Sequence, residues 1–138
     1  MLTFSSSCCQ ILLKYSGDNL TEVRVSDFGL SILLDRSATA QTAQIGTPNY
    51  MAPELLSKRP NGYSNAVDVY AFGIMTAEAL LQELPPGLLS LFPVERVRAV
   101  HRLFGDVYAS CVQGEPNLRP PMAQVADALE KLFVSRYL

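Results

Sequence analysis

Hydrophobic residues fall in short clusters before residue 30 and in long, closely spaced runs after residue 65. Ile11-Leu12-Leu13-Lys14 is a short apolar run. Val23-Arg24-Val25-Ser26 alternates, with its β-branched residues pointing one way. Between them, Tyr15-Ser16-Gly17-Asp18-Asn19-Leu20 supplies turn chemistry, because Gly and Asn tolerate positive φ. The pattern predicts a β-hairpin whose second strand delivers Asp27 at its end. From Ser31 to Thr42 nothing recurs at helical or strand period and small polar residues dominate, so a loop is expected. Pro53-Glu54-Leu55-Leu56 suits a short helix, since Pro in a first turn lacks only an N–H that would have no partner. Lys58 to Tyr63, with Pro60-Asn61-Gly62, reads as another loop.

The second half is helical by pattern. Ser64 or Asn65 is placed to cap a long helix from Ala66 to about Leu84. Apolar residues surround most of that helix, which marks it as central to a domain. Pro85-Pro86-Gly87 ends it. Val94 to Phe104 and Val107 to Gln113 read as two helices separated by Gly105. Gly114 to Pro121 reads as a rigid loop. A last helix, from about Pro121 to Val134, carries a stripe of Met122, Val125, Ala126, Leu129, Leu132 and Phe133. The expected fold class is therefore mainly α, a helical bundle around a buried central helix, with a short β-hairpin at the N-terminal end.

Composition narrows the function classes. A chain of 138 residues is the size of one domain. Its net charge of −2 gives no reason to expect nucleic acid or an anionic membrane surface as partner. At 49% hydrophobic residues it is slightly rich, which suggests apolar surface meant for a protein contact. Cys8, Cys9 and Cys111 form neither a disulfide framework nor a zinc spacing, and buried or incidental thiols are expected. The best candidate membrane span, Tyr70 to Phe92, is interrupted by Glu78, Glu83, Pro85 and Pro86. Met1 to Leu13 has no basic residue and so lacks the n-region of a signal peptide. A reduced, cytoplasmic setting is the expectation.

Four motifs then occur in a fixed order. Asp27-Phe28-Gly29 comes first, followed by Gly46-Thr47-Pro48-Asn49-Tyr50-Met51-Ala52-Pro53-Glu54. Asp68-Val69-Tyr70-Ala71-Phe72-Gly73 sits near the start of the central helix, and Arg119-Pro120 precedes the last helix. Together these resemble the protein kinase catalytic domain, with residues 27–54 as an activation segment running from D-F-G to A-P-E. The G-T-x-x-Y-x-A-P-E form resembles Ser/Thr kinases, in a style similar to tyrosine-kinase-like Ser/Thr enzymes.

The resemblance implies roles residue by residue. Asp27 would bind Mg²⁺ bridging the phosphates of ATP. Phe28 would pack between lobes, and Gly29 would permit the backbone flip that switches the segment. Thr47 and Tyr50 belong to the segment's C-terminal end, and Ser37, Thr39 and Thr42 are candidate phosphoacceptors. Glu54 would pair with Arg119, and Asp68 would be a buried helix aspartate anchoring the catalytic-loop backbone. These three are scaffold roles.

Departures from the family pattern weigh against chemistry. Residues 1–10 read as a divergent N-terminus in place of the catalytic loop, and residues 11–138 as a partial kinase domain. Counting back from Ile11 puts Gln10 at the metal-binding Asn position, and Ser5, Phe4 and Thr3 at the catalytic Asp, the Arg and the His. A serine hydroxyl lacks the carboxylate lone pairs that accept a substrate proton near neutral pH. Neither a Gly-rich loop, a strand lysine nor its partner glutamate occurs in these residues. His101, the only histidine, lies in a helix and reads as non-catalytic. Two functions are thus expected in competition: a truncated Ser/Thr kinase inactive as an isolated chain, with Mg²⁺ and ATP as family cofactors, and a pseudokinase-type module binding a protein partner, with an exposed apolar surface facing where an N-lobe would sit.

Overall fold

The computed structural model describes residues 11–26, 48–56, 64–81, 94–100 and 102–137. The chain divides into two compact units, residues 1–33 and 34–138. The first is built on an antiparallel hairpin of β1 (Ile11–Ser16) and β2 (Asn19–Val25). Ile11 pairs with Val25, Leu13 with Val23 and Lys14 with Glu22, and a bulge falls between Lys14 and Tyr15. Thr21 lies opposite that irregularity, and its hydroxyl donates to the Lys14 carbonyl at 3.0 Å.

The hairpin is longer than the pattern predicts. Tyr15, Ser16, Asn19 and Leu20, read above as turn residues, belong to the strands. Only Gly17 and Asp18 connect them. A two-residue connection needs positive φ to match the twist of its strands, and Gly17 supplies it at 59°. Backbone pairing extends to the turn whatever the polarity of the side chains. Val23 and Val25 alternate onto one face as expected, yet remain 56% and 58% exposed.

The second unit is helical: α1 (Pro53–Leu56), α2 (Ala66–Leu81), α3 (Val94–Val100), α4 (Arg102–Cys111) and α5 (Met122–Tyr137). Short 3-10 turns lie at Pro48–Tyr50 and Pro116–Leu118. Ser64 is the residue whose side chain serves the start of α2, its hydroxyl accepting from the Ala66 N–H at 3.3 Å. Among the described residues two apolar clusters form the core, and α2 and α4 contribute to both. Tyr70, Ile74 and Ala77 join Ala52, Val97, Tyr108 and Val112 in one. Val69 joins Val107, Cys111 and Val125 in the other. A helix apolar on most of its circumference is thereby served on two sides, as its sequence requires.

Gly73 sets the approach of these two helices. A Cβ there would lie 2.8 Å from Cys111 Cβ and 2.8 Å from Val112 Cγ1. The helix boundaries between 94 and 113 differ from the predicted ones. Gly105 does not separate two helices but lies inside α4, which begins at Arg102, and α3 ends at Val100. The reason is contact: a Cβ at position 105 would come within 2.9 Å of Arg98 Cα. This glycine admits a neighbouring backbone instead of ending a helix.

α5 runs to Tyr137, three residues past the predicted end. Its inward stripe is Val125, Ala128, Leu129 and Leu132. Met122 and Ala126, assigned above to that stripe, are exposed. Val125, Ala128, Leu129 and Leu132 fall within about 100° of arc, and Ala126 lies about 60° beyond its edge and so faces out. Phe133 is exposed on one side and meets the Phe104 ring edge-on at 5.8 Å. Cys111 is fully buried, and that burial pushes its thiol pKa up, while a hydrogen bond with Ser110 opposes the rise. Cys8, Cys9 and residues 82–84 of the predicted central helix lie outside the described residues.

Candidate functional site

The most tightly organised polar centre in the second unit lies where α1, the start of α2 and the end of α4 meet. Arg119, separated from α5 by Pro120 and Pro121, has a side chain with 0% exposure. A guanidinium offers five N–H donors in a fixed plane, and each buried donor demands an acceptor. All five are used. Nη1 and Nη2 donate to Glu54 Oε1 and Oε2 at 2.7 and 2.8 Å, a forked ion pair. Nη1 also donates to the Ala66 carbonyl at 2.9 Å. Nε donates to the Gln113 carbonyl at 2.8 Å and Nη2 to the Gly114 carbonyl at 3.2 Å.

The last two acceptors follow from helix ends. Carbonyls just beyond α4 have no intrahelical partner and carry the negative end of the helix dipole, so a cation suits them. Tyr70 completes the centre, with the guanidinium carbon 4.9 Å from its ring centroid. Burial pushes the Tyr70 phenol pKa up; the Arg119 charge works against that rise and the Glu54 charge adds to it. Tyr108, buried nearby in the same cluster, is pushed up to about 12 by loss of hydration and then by Tyr70.

Ahead of α1, Met51 and Ala52 are buried, and the Leu55 N–H donates to the Ala52 carbonyl at 2.9 Å. Tyr50 packs against the first cluster, and its hydroxyl donates to Glu78 Oε2. Residues 50–54 are therefore tied to α2 at two points, at its start through Arg119, which bridges Glu54 to the Ala66 carbonyl, and near its end by Glu78.

Among the residues singled out from sequence, Glu54 and Arg119 are in direct contact and Tyr50 lies on the same face of α2's cluster. Asp68 is placed otherwise than expected. It is exposed, because the helical phase that buries Val69, Tyr70, Gly73, Ile74 and Ala77 turns position 68 outward. Partial loss of hydration still pushes its carboxyl pKa up. Ser5, Gln10, Asp27, Phe28, Gly29, Ser37, Thr39, Thr42, Thr47 and His101 lie outside the described residues. Among the described residues, no three His, Cys, Asp or Glu side chains are grouped to hold a metal ion.

Two contributors escaped the sequence reading. Tyr70 was read only as a member of the Asp68–Gly73 motif and of an apolar helix, with no role of its own. Glu78 was read only as an interruption of a hydrophobic stretch, although α2 contains just two charged residues, Asp68 and Glu78. A carboxylate on a helix that is apolar on most sides must find a donor, and that was the available signal.

The protein kinase domain family matches residues 10–128 of this chain. Similar proteins include serine/threonine-protein kinase 1 of Arabidopsis thaliana, 33% identical over 139 residues, covering 91% of this chain and 15% of that protein. Serine/threonine-protein kinase fray1 of Dictyostelium discoideum is 33% identical over 122 residues, covering 76% of this chain and 21% of that protein. Calcium/calmodulin-dependent protein kinase type 1 of Macrobrachium nipponense is 44% identical over 75 residues, covering 54% of this chain and 20% of its own length. The chain belongs to the protein kinase domain family. It spans between 15% and 21% of the length of these three relatives.

Proposed function

We propose that this chain is the C-lobe part of a Ser/Thr protein kinase domain, and that these 138 residues by themselves transfer no phosphate. The observation that carries the first half is the Glu54–Arg119 centre, which binds the end of the segment to α2 and α4 with every guanidinium donor used. In this reading residues 27–54 are an activation segment, and residues 11–138 a partial kinase domain behind a divergent stretch at 1–10. Bound Mg²⁺ would neutralise the charge that develops on the phosphates of ATP. Asp27 is assigned to hold that ion, with Gln10 as a longer and poorer substitute for the family's asparagine.

The second half rests on what stands at the reacting positions. Phosphoryl transfer is positioning and electrostatics almost throughout. Ser5, at the position of the catalytic base, accepts no proton near neutral pH, and losing such a group forfeits about 10²–10⁴ in rate. The test is incubation of the purified chain with Mg²⁺, labelled ATP and a mixed protein substrate. No incorporation above the enzyme-free control is expected. Incorporation that disappears in Asp27→Ala would overturn the assignment.

One observation favours a second use, as a pseudokinase-type module that binds a protein. The scaffold centre is complete while the base position holds Ser5, so what these residues maintain is shape. The exposed apolar side chains of the hairpin, Tyr15, Leu20, Val23 and Val25, are surface of the kind a protein partner covers. No described helix is long and apolar enough to cross a membrane, and a cytoplasmic site of action is part of the same reading. A cooperative thermal transition of the isolated chain is expected; aggregation in every buffer would count against a stand-alone module.

A further inference from the structure

The register of the hairpin sorts its side chains onto two unlike faces. Residues paired across a ladder share a face, so Ile11 with Val25, Leu13 with Val23 and Tyr15 with Leu20 make one side apolar. Thr21 is the extra residue of the bulge, and it restores Leu20 to a face that simple alternation would deny it. The other side carries Lys14, Glu22 and Arg24, with Arg24 Nε donating to Glu22 Oε1 at 2.6 Å along the strand. Among the described residues this sheet has only two strands, so the outer edge of β2 has no ladder partner. Every second residue of β2 therefore sends its N–H and C=O toward an open edge. A two-stranded hairpin is marginal in water and gains stability from further strands. The edge of β2 is also reachable: six of its seven residues are exposed, all but Glu22.

We propose that this edge takes a second copy of the chain: the two β2 strands pair antiparallel about a two-fold axis at Val23, giving a sheet of order β1-β2-β2-β1. The charges select this partner and this register. Pairing centred on Val23 sets Glu22 of each copy opposite Arg24 of the other. Each carboxylate then has one arginine along its own strand and one across, an alternating square of four charges. Val23 meets Val23 on the apolar side, a β-branched pair of the kind sheets favour. Centring the pairing on Glu22 or Arg24 instead would set like charges directly opposite, which is destabilising. The outer edge of β1 offers no matching register, because its one charged residue is Lys14. The proposal rests on the second reading above, that the hairpin is surface a protein covers, and it makes that protein a second copy. It stands whether or not the chain transfers phosphate.

The test is sedimentation velocity of the purified 138-residue chain from micromolar to near-millimolar concentration, where a reversible dimer is expected. Over the same range, amide exchange in β2 should slow while exchange in α5 stays constant. Glu22→Arg and Arg24→Glu each set like charges opposite at both symmetric contacts, and each should weaken the dimer about tenfold or more. A damaged hairpin would do the same, so the deciding sample is the equimolar mixture of the two variants. There the wholly positive β2 of Glu22→Arg faces the wholly negative β2 of Arg24→Glu, and a heterodimer should form that neither variant forms alone. The double variant Glu22→Arg/Arg24→Glu, which exchanges the two charges, should dimerise as the unaltered chain does. A dimer indifferent to the single reversals, or a mixture that stays monomeric, would overturn the proposal. A chain monomeric at every concentration would overturn it too, and would leave the edge to a strand of a different protein. That last result leaves the second reading itself intact, since its own test is the cooperative transition.

Discussion

Two glutamates in this chain sit in ion pairs with arginine at nearly the same distance, in opposite surroundings. In the hairpin, Glu22 meets Arg24 at 2.6 Å and Lys14 at 3.7 Å, with side chains 34%, 71% and 74% exposed. In the helical unit, Glu54 meets Arg119 at 2.7 Å with side chains 18% and 0% exposed. Distance does not separate them; hydration does. Water competes for every charge in the first set, so those pairs contribute about 0–1 kcal/mol. The second pair has given up most of its water, and removing one member leaves the other's charge without its counter-ion. It also differs in connection, since Arg119 draws on backbone carbonyls from α2 and from the end of α4, whereas the Glu22 set joins side chains two residues apart or directly across a ladder.

The largest break in that contrast is Arg119→Ala, which should cost about 3–5 kcal/mol in urea unfolding of the helical unit. Arg119→Lys keeps the charge but not the planar fork, and should recover only part of that loss. If both variants unfold at the wild-type midpoint, the buried pair is no more valuable than the exposed one. Next in size is Gly73→Ala. It leaves every charge in place and forces α2 away from Cys111 and Val112, for about 1–3 kcal/mol. That change tests whether the ion pair or the helix contact fixes the centre.

A third test uses alkali to charge a buried tyrosine, with the Phe variant isolating its share. Tyr108 is held neutral, with its pKa raised from 10.0 to about 12. Its stabilising effect is therefore complete below about pH 10, where the unfolded phenol would begin to ionise, and is lost as pH rises through about 12. Urea midpoints should fall across that window, and Tyr108→Phe should flatten the fall. The smallest effect should come from the hairpin. Glu22→Ala should shift amide exchange within β1 and β2 by no more than about 0.5–1 kcal/mol, and 1 M salt should erase even that. A larger or salt-resistant loss would mean that exposure is not what separates the two glutamates.

Much of the architecture is legible in the sequence, and the reasons are local. Pro53 at the head of a short helix, Ser64 ahead of Ala66, and the apolar circumference of α2 all state their roles through neighbours in sequence. The places that misled are those where one residue has two uses. Gly105 as a separator and Gly105 as a point of close approach look identical in sequence. Only the Arg98 backbone beside it chooses between them. Polar residues beside Gly17 likewise suit a wide turn or strand ends, and it is the ladder to β2 that assigns them to strands.

The scaffold centre divides in the same way. Sequence order, through its likeness to a family, set Glu54 against Arg119. It said nothing of the Gln113, Gly114 and Ala66 carbonyls or of the Tyr70 ring beneath the guanidinium. Backbone carbonyls are present at every position and acquire meaning only when a helix ends beside a donor. Asp68 shows the opposite error: a motif position implied burial, and helical phase turned it outward.

By itself, then, the sequence determined which residues repel water, where helices begin, and the family to which the chain belongs. These are properties of single residues and of spacing along one strand of chain. Which glycine admits a helix, which carboxylate is cut off from water and which tyrosine meets Glu78 were decided only by tertiary structure. Burial and hydrogen bonding depend on what arrives from dozens of residues away, and an isolated position carries no record of it.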